Sequence, residues 1–81
     1  MDMDKLLRAE IETAILTRRT ITFRYTYERD DRREATIRTV RPCWVSPNQE
    51  NRCNLMRGFC RLRQDMRTFR VDRMELIDAR R

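Results

Sequence analysis

The sequence predicts a mainly β domain, with one N-terminal helix followed by a five-stranded, strongly bent antiparallel sheet that curls on itself to bury one face. Three observations predict it. Apolar residues recur at helical spacing only before Thr20, and from there to Ile77 they recur at period two, in short runs broken by polar clusters. No gap between those runs is long enough for a crossover helix, so neighbouring strands must run antiparallel. The chain has 81 residues, and at that length it buries only about two-thirds of the surface it exposes unfolded, which allows one small core. Residues 1–81 are therefore read as a single domain, with the helix over about 4–18 and the sheet over about 20–77.

Asp4 is placed to cap the helix, whose apolar stripe is Leu7, Ile11, Ala14 and Ile15. Arg18 and Arg19 close it as cations near unpaired carbonyls. Ile21, Phe23, Tyr25 and Tyr27 then alternate with Thr22, Arg24 and Thr26, the pattern of a half-buried strand rich in β-branched and aromatic residues. Glu28 to Arg33 reads as a turn. Asp30 and Asp31 sit there among Arg29, Arg32 and Arg33, with no partner for acid–base chemistry. Ala35 to Val40 forms a second strand that continues across Pro42 into Cys43 to Val45. Proline gives no ladder hydrogen bond, so Pro42 marks an edge, a bend or a bulge. Pro47 to Arg52 is the next turn.

The stretch Asn54 to Arg73 interleaves six arginines with apolar residues. Period two puts Met56, Gly58 and Cys60 on one strand face and Leu55, Arg57, Phe59 and Arg61 on the other. Gln64 and Asp65 form a connection, and a second strand opens at Arg67, with Phe69 and Val71 alternating against Thr68 and Arg70. The product is a hairpin that holds guanidinium groups at fixed positions on a packed sheet. Phe59 and Phe69 are read as core. Arg70 and Asp72 share a face and are spaced for an ion pair, while Arg73 is set to pair with Glu75 or to cap backbone carbonyls. Met74, Leu76 and Ile77 supply a last apolar segment, a closing strand or one helical turn.

Charged residues make up 40% of the chain, but their alternation with apolar residues marks a folded domain rather than a disordered one. The net charge is +6, and Lys5 is the only lysine. Arginine presents a planar fork of donors to phosphate and stacks on aromatic faces, so this bias favours an anion-facing surface. Residues 1–51 carry ten basic and nine acidic groups, whereas residues 52–81 carry nine and four, so the surplus lies in the C-terminal hairpin and the residues after it. Cys43, Cys53 and Cys60 are odd in number and show no CxxC spacing, which reads as reduced, buried thiols in a cytoplasmic protein. With no histidine, a zinc site would need three thiolates and a carboxylate, so no metal or other cofactor is expected. No apolar run approaches membrane-spanning length. An enzyme is disfavoured, because the sequence offers no glycine-rich phosphate loop, no paired carboxylates in a credible pocket and no nucleophile with a base at hand.

The chain resembles the WYL domain, a small Sm-like barrel of bacterial and phage regulators, from about Leu7 to Ile77. The resemblance is carried by the helix leading through Ala14 and Ile15 into Phe23 and Tyr25, and by Arg38, Val40 and Pro42 as R-x-v-x-P. Its most specific part is Arg63, Arg67, Phe69, Arg70, Asp72 and Arg73 as R-x-x-x-R-x-F-R-x-D-R. The tripeptide that names the family is replaced by Asn54, Leu55 and Met56, which keeps a core-sized group at Met56 and loses a tyrosine hydroxyl and ring at Leu55. That departure bears on the ligand more than on the fold. No helix-turn-helix stretch precedes the match within these residues, so operator binding through a winged helix is not expected.

The resemblance implies a non-enzymatic ligand-sensing or regulatory domain for a negatively charged ligand, a nucleotide or single-stranded DNA or RNA. The residues point the same way, since single strands are bound by cations along the phosphates and by aromatic or guanidinium planes against the bases. The expected ligand contacts are Arg38, Arg63, Arg67 and Arg73, with Arg57 and Arg61 second. The competing expectation is a protein-interaction or dimerisation module that acts in trans on a separate regulator or nuclease, through exposed sheet edges.

Overall fold

The computed structural model describes residues 3–47 and 54–77. Its elements are α1 (Met3–Thr17), β1 (Ile21–Arg29), β2 (Arg32–Val45), β3 (Leu55–Cys60), β4 (Asp65–Arg70), a short 3₁₀ turn (Val71–Arg73) and β5 (Met74–Leu76). All strand pairs are antiparallel, in the order β4-β3-β2-β1-β5. The sheet is bent and barrel-like but does not close, and β4 and β5 form its two edges. The 3₁₀ turn links those edges along the chain, and the Arg70 backbone N–H donates to Tyr25 Oη at 3.0 Å, tying β4 to β1. The final apolar segment therefore closes as a strand, with Met74 opposite Tyr25 and Leu76 opposite Phe23.

The core is built from the positions that periodicity selects. Leu7, Ile11 and Ala14 of α1 are buried against the concave face of the sheet, where Phe23, Val40, Met56 and Cys60 are wholly buried. Phe23, Tyr25 and Phe69 meet edge to face, with centroids 5.0 to 6.2 Å apart, the arrangement that ring quadrupoles favour.

Several local expectations are corrected. α1 begins at Met3, so Asp4 lies inside its first turn rather than at its cap. The helix ends in a Schellman arrangement. Arg18 takes φ 56° and donates to Ile15 O, and the Arg19 N–H reaches Ala14 O at 3.0 Å, so backbone geometry closes the helix there. The β1–β2 turn narrows to Asp30 and Asp31, at φ 52° and 64°, between the paired Arg29 and Arg32. Two consecutive left-handed residues are what a two-residue hairpin of matching twist requires. β4 opens at Asp65, two residues before the expected start, after a turn over residues 61–64. Of the two described cysteines Cys43 is exposed and Cys60 buried, while Cys53 and most of the turn expected over Pro47 to Arg52 lie outside the described residues.

Pro42 sits at a bulge. The β2–β3 register shifts between Pro42, opposite Gly58, and Trp44, opposite Arg57. One extra residue reverses the side-chain alternation, so Trp44 faces outward although Arg38, Val40 and Pro42 face inward. β3 must approach the bulge closely. A Cβ on Gly58 would stand 2.6 Å from Arg41 O and 2.7 Å from both Pro42 Cα and Val40 Cγ1.

Candidate functional site

Arg38 occupies a core position. On β2 it lies between Thr36 and Val40 on the concave face, opposite Phe23, and is only 6% exposed. Its Nε donates to Thr36 Oγ1 at 2.9 Å and its Nη1 to Cys60 Sγ at 3.6 Å, and its Cζ stands 5.9 Å from the Phe69 ring centroid. None of these partners is a carboxylate. Among the described residues no carboxylate lies within ion-pair distance of Arg38. An unpaired cation in a protein interior costs on the order of several kcal/mol, so this arrangement is not explained by stability alone.

The β3–β4 turn brings the Arg63 backbone to the same place. Gln64, at φ 55°, closes the turn by donating from its backbone to Cys60 O and from Nε2 to Arg61 O, both at 2.8 Å. Burial pushes the Cys60 thiol up. Hydrogen bonds from the Arg63 backbone, the Arg38 side chain and the Leu62 backbone, with the Arg38 charge, outweigh that and hold it below its ordinary value. The same donors and charge would favour any anion presented to them. Arg67 shares the concave face, opposite Gly58 and two residues before Phe69, with its side chain exposed.

The remaining sequence-selected arginines lie elsewhere. Arg73, in the 3₁₀ turn, lines a surface depression of about 240 Å³ together with Thr26, Tyr27, Glu28, Arg33, Asp72, Met74 and Glu75, a surround of mixed charge. Of the two roles expected for Arg73, the pair with Glu75 is not made, since Glu75 pairs with Arg24 at 3.4 Å. Arg70 does pair with Asp72, in two contacts of 3.2 and 2.8 Å. Arg57 and Arg61 belong to the convex face, where Arg57 Nη1 donates to Thr68 Oγ1 at 3.1 Å and the Arg61 backbone N–H donates to Thr39 O at 3.0 Å. The structure thus puts Arg38 and Arg67 on one face of the sheet, with the Arg63 backbone beside Cys60 at the end of that face, and leaves Arg57, Arg61 and Arg73 apart from them.

Two aromatic positions depart from the sequence reading. Phe69 is core, but Phe59 is 36% exposed on the convex face, opposite Arg41 on one side and Met66 on the other. Trp44, which the sequence reading did not single out, is 47% exposed on that same face. The signal was present in Pro42, because a bulge there inverts the parity of everything after it.

The family model for the WYL domain matches residues 7–79. Among solved structures, the chain is similar to proteasome accessory factor B/C (PafBC) of Arthrobacter aurescens, with a TM-score of 0.71 at 27% identity. That similarity covers 96% of this chain and 12% of the PafBC chain. No curated protein sequence matches. Of Asn54, Leu55 and Met56, which replace the family's tripeptide, Asn54 lies just before β3 and the other two begin it, with Met56 wholly buried and Leu55 half-buried on the opposite face. The family match spans nearly the whole length, and its fold agrees with the helix and bent five-stranded sheet described above, so the chain belongs to the WYL domain family.

Proposed function

We propose that this chain is a regulatory, non-enzymatic ligand-sensing domain for a negatively charged ligand, a nucleotide or single-stranded nucleic acid. Arg38 carries the reading. It is a buried guanidinium whose described partners are all neutral, beside turn amides that already favour negative charge at Cys60. Arg67 supplies a further cation on the same face and Arg63 stands in the adjoining turn, and a phosphate reaching Arg38 would supply the missing counter-charge. Membership of the WYL family and likeness to PafBC support the regulatory part.

The test is a titration of the 81-residue chain with mononucleotides and with unstructured DNA and RNA oligonucleotides, starting at low salt. Binding should weaken with salt, with a slope of log affinity on log salt near −0.7 for each phosphate engaged on a single strand. Absence of binding to every one of these ligands would refute the reading.

A second reading, a protein-interaction module, draws on one observation. β4 is an edge strand, and no described strand pairs with its outer side over residues 65–69, before the Arg70 N–H meets Tyr25 Oη. It would be favoured if no anionic ligand binds and the chain associates with itself or a partner.

A further inference from the structure

The convex face of β2, β3 and β4 combines exposed aromatic rings with cations. Trp44 on β2 stands opposite Arg57 on β3, and Phe59 on β3 stands opposite Arg41 on β2, so rings and guanidinium groups alternate on neighbouring strands. Arg61 extends the row next to Thr39. Trp44 is outward only because the bulge at Pro42 turns it there, and such bulges characteristically re-aim a side chain beside a functional surface. Trp44 and Phe59 are diagonal cross-strand neighbours, a spacing of about 7–8 Å between Cα atoms, which lets each ring meet a separate base of an unstacked strand. From Ala35 onward on β2, and on β3 and β4, no outward-facing residue is a carboxylate. A sheet face with aromatic rings for bases and cations for phosphates is the chemistry by which single strands are held without regard to sequence.

We infer that this convex face is a stacking platform for single-stranded nucleic acid, with Trp44 and Phe59 against the bases and Arg41, Arg57 and Arg61 against the phosphates. The inference rests on the nucleotide-type ligand proposed above and narrows it to a polynucleotide. It uses a surface separate from the side of the sheet where Arg38 lies.

Trp44 is the chain's only tryptophan, so its emission reports on the platform directly. The experiment titrates the full chain with a twelve-nucleotide oligothymidylate and, separately, with thymidine monophosphate, following tryptophan emission and affinity in wild type, Trp44→Ala, Trp44→Phe, Phe59→Ala and Arg38→Met. Far-UV circular dichroism checks that each variant is folded. The expected result is quenching of wild-type emission by the oligonucleotide, with affinity weakened roughly 5- to 150-fold in Trp44→Ala and in Phe59→Ala and largely kept in Trp44→Phe. Oligonucleotide binding that leaves the emission unchanged and survives both alanine variants, yet fails in Arg38→Met, would overturn the platform while leaving the proposed function standing. Emission that responds to protein concentration and to no oligonucleotide would assign the face to self-association and overturn it as well. Failure of the oligonucleotide, the mononucleotide and every other anion to bind would sink the proposed function and the platform with it.

Discussion

Arg38 Nη1 donates to Cys60 Sγ at 3.6 Å inside the sheet, joining a buried cation on β2 to a wholly buried thiol at the end of β3. Burial raises the thiol, and the Arg63, Arg38 and Leu62 hydrogen bonds with the Arg38 charge bring it below its ordinary value of 9.0. The folded state therefore releases this proton at lower pH than the unfolded chain does. Between the two values the unfolded state holds more protons, so stability rises with pH across that window and is fully present above about 9.0. Lowering the pH through the folded value removes the contribution. Denaturant unfolding of wild type and Cys60→Ala across that range should show a stability difference that shifts in favour of wild type as pH rises. A pH-independent difference would contradict the assignment.

Gly58 has no room for a side chain. The Cβ of an alanine would press on two backbone atoms of β2, Arg41 O and Pro42 Cα, and on the buried Val40. Gly58→Ala should cost about 1–3 kcal/mol of unfolding free energy, with the bulge or the β2–β3 ladder shifting to accommodate it. Urea denaturation reads this directly, and an unchanged midpoint would show that β2 yields freely.

Arg18 holds a left-handed conformation that glycine adopts without penalty. Arg18→Gly should therefore raise stability, by up to about 1 kcal/mol once the greater freedom of glycine in the unfolded chain is set against the relief. A thermal melt in moderate salt, where charge effects on the helix end are screened, measures it.

Arg63 and Arg67 are exposed, and neither packs in the core. Replacing both by alanine should leave the unfolding transition within about 0.5 kcal/mol of wild type. If each meets one phosphate of a single strand, the salt slope of oligonucleotide binding should fall by about 1.4 for the pair. An unchanged slope with unchanged affinity would remove them from the site.

The fold was legible where a single periodicity held without interruption. The stripe Leu7, Ile11, Ala14 and the alternation from Ile21 to Tyr27 each map onto one element and one buried face. It was illegible where backbone geometry rather than pattern decided. Trp44 shares parity with Val40 and Pro42 in sequence, yet the extra residue at the bulge turns it to solvent. Asp30 and Asp31 form a two-residue turn because both accept positive φ, which the long charged cluster from Glu28 to Arg33 concealed. The arginines themselves were visible, but their grouping depends on cross-strand register. Arg38 and Arg57 looked alike as members of one basic set, and the sheet puts them on opposite faces. That Arg38 would find a hydroxyl, a thiol and a ring instead of a carboxylate follows from the pairing of β2 with β1 and β3, which composition does not specify.

The most direct test measures stability and ligand affinity together in Arg38→Met. A buried cation kept for structure would be missed by the fold, whereas one kept for a ligand can be replaced by an apolar group of similar length at little cost or with a gain. Arg38→Met should show an unfolding free energy equal to or above that of wild type, alongside at least a roughly tenfold loss of affinity for nucleotide or oligonucleotide at low salt. A clear loss of stability with affinity unchanged would contradict it and make Arg38 a structural residue.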